Sequence, residues 1–296
     1  MTNCIDLVID ENKCIHCGLC VKDCTAGVLE QNENEVPHIA ENGEKRCIKC
    51  QHCLAVCPTG ALSIFGKKPQ DSDSIKQINS EEVLNLIKSR RSFRHYKSEN
   101  LDKETMDKLK NMLNWVPTGC NNHRLHFAFI DDIAVMNDFR GYVTSTLIKI
   151  LTKTPVKPIL DKFGKHKDAI LNGEDVIFRG APHLIVACSP IDAPCADIDP
   201  VIALSYFELY AQSLGVGTVW CGFAEICLKM FPELCHQLQI PDGYKASYVM
   251  LFGPRDIKYS RTTQPEPYTI STAQKGGRNN MNLIEKAKRY FWNFIR

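Results

Sequence analysis

The chain has 296 residues, of which 44% are hydrophobic and 24% are charged, and its formal net charge is +2. This composition is typical of a soluble protein with one sizeable core and a smaller second unit, and it argues against disorder, collagen and a strongly basic nucleic-acid binder. Because no run of about 18 apolar residues occurs and the first residues lack the layout of a signal peptide, we expect a cytoplasmic protein without membrane or nucleic-acid partners.

Cysteines are unevenly spread along the chain. Residues 1–66 contain nine of the fifteen, and this asymmetry predicts two domains. Eight of the nine form two runs of the pattern C-x2-C-x2-C-x3-C, and the second run repeats the first at an offset of 33 residues. The repeat indicates an internal duplication of one unit. The runs are Cys14, Cys17, Cys20, Cys24 and Cys47, Cys50, Cys53, Cys57.

This spacing is typical of iron–sulfur ligands. Three thiolates at two-residue spacing curl around one face of an iron–sulfur cube, whereas the fourth points toward another cube. Disulfides and structural zinc are weaker interpretations, because the cytosol disfavours disulfides and zinc knuckles do not need this repeated triple spacing. We therefore expect crossed ligand sets, namely Cys14, Cys17, Cys20 with Cys57, and Cys47, Cys50, Cys53 with Cys24. Residues 1–66 resemble the bacterial two-cluster ferredoxins, which implies two 4Fe–4S clusters.

A polar segment separates this unit from the rest of the chain. Residues 67–79, KKPQDSDSIKQIN, show no periodicity and predict a surface linker. Beyond it, residues 80–296 alternate helical and strand patterns, which predicts an α+β domain of three layers that ends in a basic amphipathic helix over 283–296. Residues 153–180 fit a lid and a plain surface loop equally well. The helices are expected at 80–89, 102–115, 131–152 and 198–214, and the strands at 125–130, 183–188, 217–221 and 247–252.

Three segments of this second domain suggest a ligand. Residues 89–96, SRRSFRHY, contain three arginines and two serines. Alone, such a cluster is more often a solvated or salt-bridged helix end than a phosphate clamp. Residues 117–123, PTGCNNH, precede a predicted strand, and residues 214–223, LGVGTVWCGF, join a helix, a strand and a turn.

With these segments in this order, residues 80 to about 265 resemble the nitroreductase family of flavin enzymes. The resemblance implies that the arginine motif holds the FMN phosphate and ribityl chain through Arg90, Arg91, Ser92 and Arg94. It implies that the second segment reaches the flavin from the partner subunit, which makes the protein a homodimer with FMN at the interface. The residues concerned are Pro117, Thr118, Gly119 and Asn121.

The resemblance also assigns the turn after the third predicted strand. It implies that Trp220, Cys221 and Gly222 lie against the flavin ring and offer a backbone N–H toward N5. Glutamate or glycine is common where Cys221 stands, so only its main-chain role carries over. Many family members close the phosphate site with a basic residue after the last strand, and either Lys258 or Arg261 fits that position. The C-terminal helix, by the same resemblance, docks on the partner subunit.

Together these features predict an FMN-dependent oxidoreductase whose electrons enter singly through two clusters and leave in pairs from the flavin. A low-potential donor and a small, flat acceptor such as a nitroaromatic or a quinone are the expected partners. The alternatives are a redox sensor or electron carrier, and a reductase of an enone or a halogenated aromatic. No catalytic side chain is assigned, because the chemistry occurs at FMN N5. Direct use of NAD(P)H and the role of Cys120 stay open.

Overall fold

The computed structural model describes residues 5–153, 164–273 and 291. Contacts divide the chain into two compact units, residues 1–261 and 262–296. In the second unit, residues 262–273 are exposed and without regular structure, and the arm predicted at 283–296 lies outside the described residues apart from Phe291. The predicted domain boundaries, at 66/67 and 79/80, fall within the first unit and stay predictions. All the elements named below belong to the first unit.

Residues 5–66 form a small lobe, which we call the cysteine-rich lobe. Its first sheet pairs β1 (Leu7–Ile9) antiparallel with β4 (Leu62–Ile64), and its second pairs β2 (Leu29–Glu30) with β3 (His38–Ile39). Three single-turn helices connect the strands. They are α1 (Leu19–Lys22), α2 (Gly43–Arg46) and α3 (His52–Ala55). Few apolar side chains are buried in this lobe, and its core consists of Ile5, Val28, Leu29, Leu54, Leu62 and Ile64.

The internal repeat predicted from the cysteine spacing is also present in the backbone. Helices α1 and α3 are offset by the same 33 residues as the cysteine runs. Each follows a residue in the left-handed region, Gly18 with φ 70° and Gln51 with φ 61°, and a second such pair is Gly27 with φ 57° and Gly60 with φ 63°. The two halves of the lobe therefore share one backbone path.

Residues 80–261 form the main domain, which is built on a four-stranded antiparallel sheet with strand order β5-β6-β8-β7. All four strands were expected from the sequence, and their ends differ from the predicted ones by at most three residues. The strands are β5 (His126–Ile130), β6 (His183–Pro190), β7 (Val216–Trp220) and β8 (Tyr244–Pro254).

Helices cover both faces of this sheet, so the predicted three-layer α+β fold is confirmed. Successive strand residues point to opposite faces, and accordingly Ile185 and Ala187 pack in one core while Leu184 and Val186 pack in the other. None of the helices in the described ranges is both long enough and apolar enough to cross a membrane. The core that contains Ile185 and Ala187 is completed by α5 (Lys103–Asn111) and α8 (Asp199–Ser213). The core that contains Leu184 and Val186 is completed by α6 (Ile133–Lys153), α7 (Lys167–Leu171), α9 (Gly222–Met230) and α10 (Pro232–Gln237).

The first helix of the main domain, α4 (Ser80–Ser89), spans the predicted range. Asn79 is its N-cap, and the Asn79 side chain accepts a hydrogen bond from the Glu81 N–H at 2.9 Å. The apolar side chains of this helix do not pack into the core. Val83, Leu84 and Ile87 stay 41% to 52% exposed, so no residue in the described part of the chain fully covers the apolar face of α4.

Candidate cofactor sites

The eight repeated cysteines line two cavities. We call the two groups the first set and the second set. Each set takes three cysteines from one run and the fourth from the other run, as the crossed arrangement requires. All eight are free thiols. The first set consists of Cys14, Cys17, Cys20 and Cys57, and the second set consists of Cys24, Cys47, Cys50 and Cys53.

The thiols of these sets suit an iron–sulfur cluster. The last cysteine of each run accepts a backbone hydrogen bond at 3.3 Å, from Val28 N–H to Cys24 Sγ and from Ala61 N–H to Cys57 Sγ. Burial raises the pKa of Cys53 to about 11, so a thiolate there needs a cationic centre beside it. In the part of the chain that the structure describes, no three His, Cys, Asp or Glu side chains converge closely enough for a single metal ion. The ligands of a cube of four irons stand further apart.

The pKa shifts of Cys20 and Cys57 also show that the thiols of the first set lie close together. Burial raises the pKa of Cys20, and the neighbouring Cys57 and Cys17 thiols raise it further. Burial also acts to raise the pKa of Cys57, but the Ala61 N–H and the Thr59 hydroxyl lower it below its ordinary value. The fold thus places a hydrogen-bonded thiol from the second run among thiols of the first run.

The arginine motif, residues 89–96, lies beside the edge strand β7. Ser92 forms a parallel bridge with Thr218, and the Phe93 N–H donates to the Thr218 carbonyl at 2.8 Å. This approach depends on Gly217, because a Cβ there would lie 2.9 Å from Cγ of Phe93. The motif is therefore held against the sheet by its own backbone.

Arg90 takes part in a buried polar network that the sequence did not reveal. Its Nη1 lies 3.1 Å from Oε1 of Glu208, and the other oxygen of that carboxylate accepts a hydrogen bond from Trp220 Nε1 at 3.1 Å. Glu208 is only 6% exposed. The signal available in the sequence was an acidic residue on the same helical face as Leu204 and Ala211. Glu208 joins two predicted FMN-binding residues, Arg90 and Trp220.

Arg91 offers an unused donor in the same motif. Its Nη1 donates to the Lys88 carbonyl at 2.9 Å, whereas its Nη2 is buried and has no hydrogen-bond partner among the described residues. A buried guanidinium N–H without an acceptor is costly, and an anionic oxygen is the acceptor that suits it best. Arg94 is exposed and donates to the Ser92 carbonyl at 3.2 Å. These features fit a phosphate group.

The segment after β8 returns to the arginine motif. Tyr96 bridges with Arg255, and the Tyr259 ring packs edge-on against Phe93 at a centroid distance of 5.3 Å. Lys258 and Arg261 are exposed on this segment.

Arg255, which the sequence did not single out, helps to hold the arginine motif in position. Its Nη2 donates to the Val216 carbonyl at 2.9 Å and to Gln212 Oε1 at 2.7 Å, and its guanidinium lies 4.5 Å from the centre of the Phe93 ring. Arg255 therefore fixes Phe93 against the start of β7. Such a role depends on partners distant in sequence, and no local pattern signals it.

The turn from Trp220 to Gly222 joins β7 to α9. The Cys221 N–H donates to the Val249 carbonyl at 2.9 Å, and its thiol donates to the Ile177 carbonyl at 3.3 Å. Burial raises the pKa of Cys221 to about 11. Gly222 opens α9, where first-turn N–H groups have no partner within the helix. The Cys221 N–H itself is thus already used by the sheet.

Residues 117–121 lie elsewhere in the chain's fold. The Gly119 N–H donates to both carboxylate oxygens of Asp199 at 3.0 Å, at the beginning of α8. Asn121 donates from Nδ2 to the Ile48 carbonyl of the cysteine-rich lobe at 3.0 Å. Cys120 is exposed and has a φ of 54°. The wall of the second set's cavity includes Pro117, Thr118, Cys120 and Asn121.

Helix α8 therefore separates two groups of predicted FMN-binding residues. Asp199, near residues 117–121, precedes Glu208, near Arg90, by nine positions of the helix, which corresponds to about 14 Å along its axis. One chain brings together the arginine motif, the segment after β8 and Trp220. It does not bring residues 117–121 to that place.

Comparisons with known proteins agree with this architecture. A family model described as the nitroreductase family matches residues 87–254, and a model described as a 4Fe-4S dicluster domain matches residues 13–61. No curated protein sequence gives a significant match.

Three solved structures share the fold of the main domain. An FMN-bound nitroreductase from Bacteroides fragilis has a TM-score of 0.53 at 18% identity, covering 66% of this chain and 100% of its own. An FMN-bound nitroreductase from Desulfitobacterium hafniense has a TM-score of 0.52 at 21% identity, covering 67% and 100%. An FMN-dependent nitroreductase from Clostridium difficile has a TM-score of 0.51 at 20% identity, covering 66% and 100%. At these identities the likeness shows the fold.

Proposed function

The chain belongs to the nitroreductase family and is a flavin-dependent oxidoreductase, and we propose that it takes electrons from a low-potential donor through two 4Fe–4S clusters and reduces a flat organic acceptor such as a nitroaromatic or a quinone. When bound, the clusters carry single electrons and FMN exchanges them in pairs. One observation carries the proposal: the second cysteine set lies in a cavity whose wall includes main-domain residues of a predicted flavin segment.

The two cysteine sets are proposed to hold one cluster each. Four thiols converge on each cavity, three from one run and one from the other. Backbone N–H groups of Val28 and Ala61 stabilise negative charge on two of these sulfurs. We also propose a cytoplasmic location, because a reducing compartment keeps cysteines available as thiolate ligands.

The arginine motif is proposed to hold the FMN phosphate. Arg91 supplies a buried N–H without an acceptor, and Arg94 supplies an exposed cation, while Ser92 lies between them. Arg90 shares its charge with Glu208, so we assign it a positioning role beside phosphate contact. Either Lys258 or Arg261 adds a further positive charge from the segment that runs beside the motif.

A homodimer with FMN at the subunit interface is part of the proposal. The exposed apolar face of α4 and the exposed Val201 and Tyr206 of α8 leave apolar surface for a second copy to cover. Residues 117–121 lie at the opposite end of α8 from the arginine motif of their own chain. A flavin held between two copies would meet both groups, one from each chain.

No side chain of this site is proposed to form a covalent bond with the acceptor. The Cys221 thiol is buried, donates to the Ile177 carbonyl and has a raised pKa, so it is a poor nucleophile. The residues of this site would bind and orient FMN, which would supply the redox chemistry toward a flat acceptor. The turn from Trp220 to Gly222, which is fixed by the sheet, would help to position the flavin.

The proposal is tested by anaerobic purification and analysis of the intact chain. We expect about eight iron atoms and one FMN per chain, and sustained turnover of a nitroaromatic or a quinone when a reduced low-potential donor is supplied. Zinc in place of iron, or absence of flavin after incubation with FMN, would overturn it. Flavin reduction without turnover of any acceptor in a panel that includes enones and halogenated aromatics would indicate a sensor or an electron carrier instead.

A further inference from the structure

Resting on the proposed function, we propose that the two cysteine sets have different roles: the first set receives electrons from the external donor, and the second set passes them to the main domain across residues 117–121. Asn121 is then a positioning residue, because it ties that segment to the cysteine-rich lobe. The cysteine spacing alone leaves the order of the two centres undefined.

The first set faces away from the main domain. Every residue that lines its cavity belongs to the cysteine-rich lobe, including Ile9, His16 and Pro37. Cys17 is exposed, so a docked donor can approach this set closely. Nothing from residues 80–261 contributes to its walls.

The second set is closed by the main domain. Main-domain residues 117, 118, 120 and 121 line its cavity together with the four cysteines. The hydrogen bond from Asn121 Nδ2 to the Ile48 carbonyl, at 3.0 Å, lies in the same wall, since Ile48 follows Cys47. A covalent and hydrogen-bonded route therefore leads from a cysteine ligand into the flavin domain.

Residues 117–121 are held rigidly enough to act as this bridge. Asp199 accepts hydrogen bonds from the Gly119 N–H and, at 3.3 Å, from Asn122 Nδ2. A Cβ on Gly119 would lie 2.5 Å from Cys195 Sγ, so only glycine lets the segment approach α8 this closely. Cys120 and Asn121 both adopt left-handed backbone conformations, which persist only where the surroundings enforce them. The segment is thus fixed from both sides, by α8 and by the lobe.

The electron balance is simple. Each transfer oxidises a one-electron donor, such as a reduced ferredoxin, by one electron at the first set. Full reduction of bound FMN consumes two such electrons and two protons from solvent, and the organic acceptor then takes up both reducing equivalents.

The order is tested with the anaerobic holoenzyme, reduced ferredoxin and saturating FMN, by stopped-flow bleaching of cluster and flavin absorption and by electron paramagnetic resonance of each reduced centre. In Cys50→Ser we expect the first set to be reduced at the parent rate and flavin bleaching to be lost. In Cys17→Ser we expect both the second set and the flavin to be reduced slowly. Flavin bleaching at the parent rate in either variant overturns the order.

A milder pair of variants tests the bridge without removing a ligand. Asn121→Leu removes the bond to Ile48, and we expect flavin bleaching to slow about two- to tenfold, the range for one lost hydrogen bond, while cluster bleaching keeps its rate. Gln31→Leu removes a matched amide-to-carbonyl bond, from Gln31 to Glu35 at 2.7 Å, and is expected to change neither rate. Equal flavin bleaching in both variants overturns the bridging role. A parent enzyme that transfers no electrons to FMN would overturn the proposed function itself.

Discussion

The cysteine-rich lobe and the main domain are stabilised in different ways. Among the described residues, the core cluster of the lobe contains six buried apolar side chains, around strands of two or three residues. The main domain packs two layers of helices on a sheet whose strand β6 is buried along its whole length. A small lobe with so little core needs another source of stability, and metal binding supplies folding free energy directly. One chain thus combines a lobe for which we expect bound clusters to supply stability with a domain that folds by hydrophobic burial.

The largest effect should follow from removal of iron. With a strong chelator under anaerobic conditions, we expect residues 5–66 to lose protection from hydrogen exchange, because the lobe loses the free energy of metal binding and keeps half-buried thiols around an empty centre. Strands β6 and β8 should keep their protection. The measurement is hydrogen exchange by mass spectrometry. Retained protection in the lobe would show that the lobe, like the main domain, is stable without bound metal.

The main domain has its own point of sensitivity at His183. This side chain is fully buried, its Nε2 accepts the Leu101 N–H at 3.0 Å, and burial lowers its pKa to about 4. Between pH 6.5 and 4 the unfolded chain binds a proton that the folded chain does not. The free energy of unfolding should therefore decrease as the pH is lowered, by up to about 1.4 kcal/mol per pH unit, or about 3 kcal/mol in total.

Urea unfolding followed by circular dichroism between pH 7 and 4 measures this effect. His183→Gln should flatten the dependence, because glutamine accepts the same hydrogen bond without titrating. If the free energy of unfolding decreases equally at low pH in parent and variant, the titrating group responsible lies outside the main-domain core.

The flavin contacts should depend on the main domain alone. We expect Arg91→Ala to weaken FMN binding about ten- to a hundredfold, because a charge-assisted hydrogen bond to phosphate contributes about 1.5–3 kcal/mol. Fluorescence titration with FMN gives the affinity, and iron content should not change. Lys103→Ala, which removes an exposed cation paired with Asp107, is the control. Equal FMN affinity in the two variants would return Arg91 to a structural role.

The smallest effect concerns the packing that positions the arginine motif. Gly217→Ala places a Cβ 2.9 Å from Cγ of Phe93 and 3.1 Å from Cγ of Arg255, and overpacking of this kind should cost about 1–2 kcal/mol of main-domain stability. Gly141→Ala is the matched control. It lies in α6 with open space around the added methyl group, so it should be neutral or stabilising by up to about 1 kcal/mol. Thermal unfolding of both variants decides whether Gly217 carries this constraint.

The sequence predicted the parts of this molecule that depend on local pattern. The cysteine spacing predicted both sets, and residue periodicity predicted the four main strands and helices α4, α5, α6 and α8. Local sequence pattern could not predict the roles of Glu208 and Arg255 or the Asn121–Ile48 contact, because each depends on a partner at least 12 positions away in the chain. The sequence showed apolar residues along α4 but did not indicate that Val83, Leu84 and Ile87 would stay exposed. Periodicity identifies a face and does not tell what covers it.

The repeated backbone of the cysteine-rich lobe has a consequence for the polarity of the protein. Gly18 and Gln51 share one conformation at equivalent positions, as do Gly27 and Gly60, so the two halves of the lobe are alike in their local backbone. A repeat of this kind has no intrinsic direction, since either half could face a neighbour. Residues 117, 118, 120 and 121 line the cavity of the second set, whereas the cavity of the first set is lined by the lobe alone. On the proposed electron route, the surface against which the lobe packs would therefore decide which set is the entrance and which is the exit.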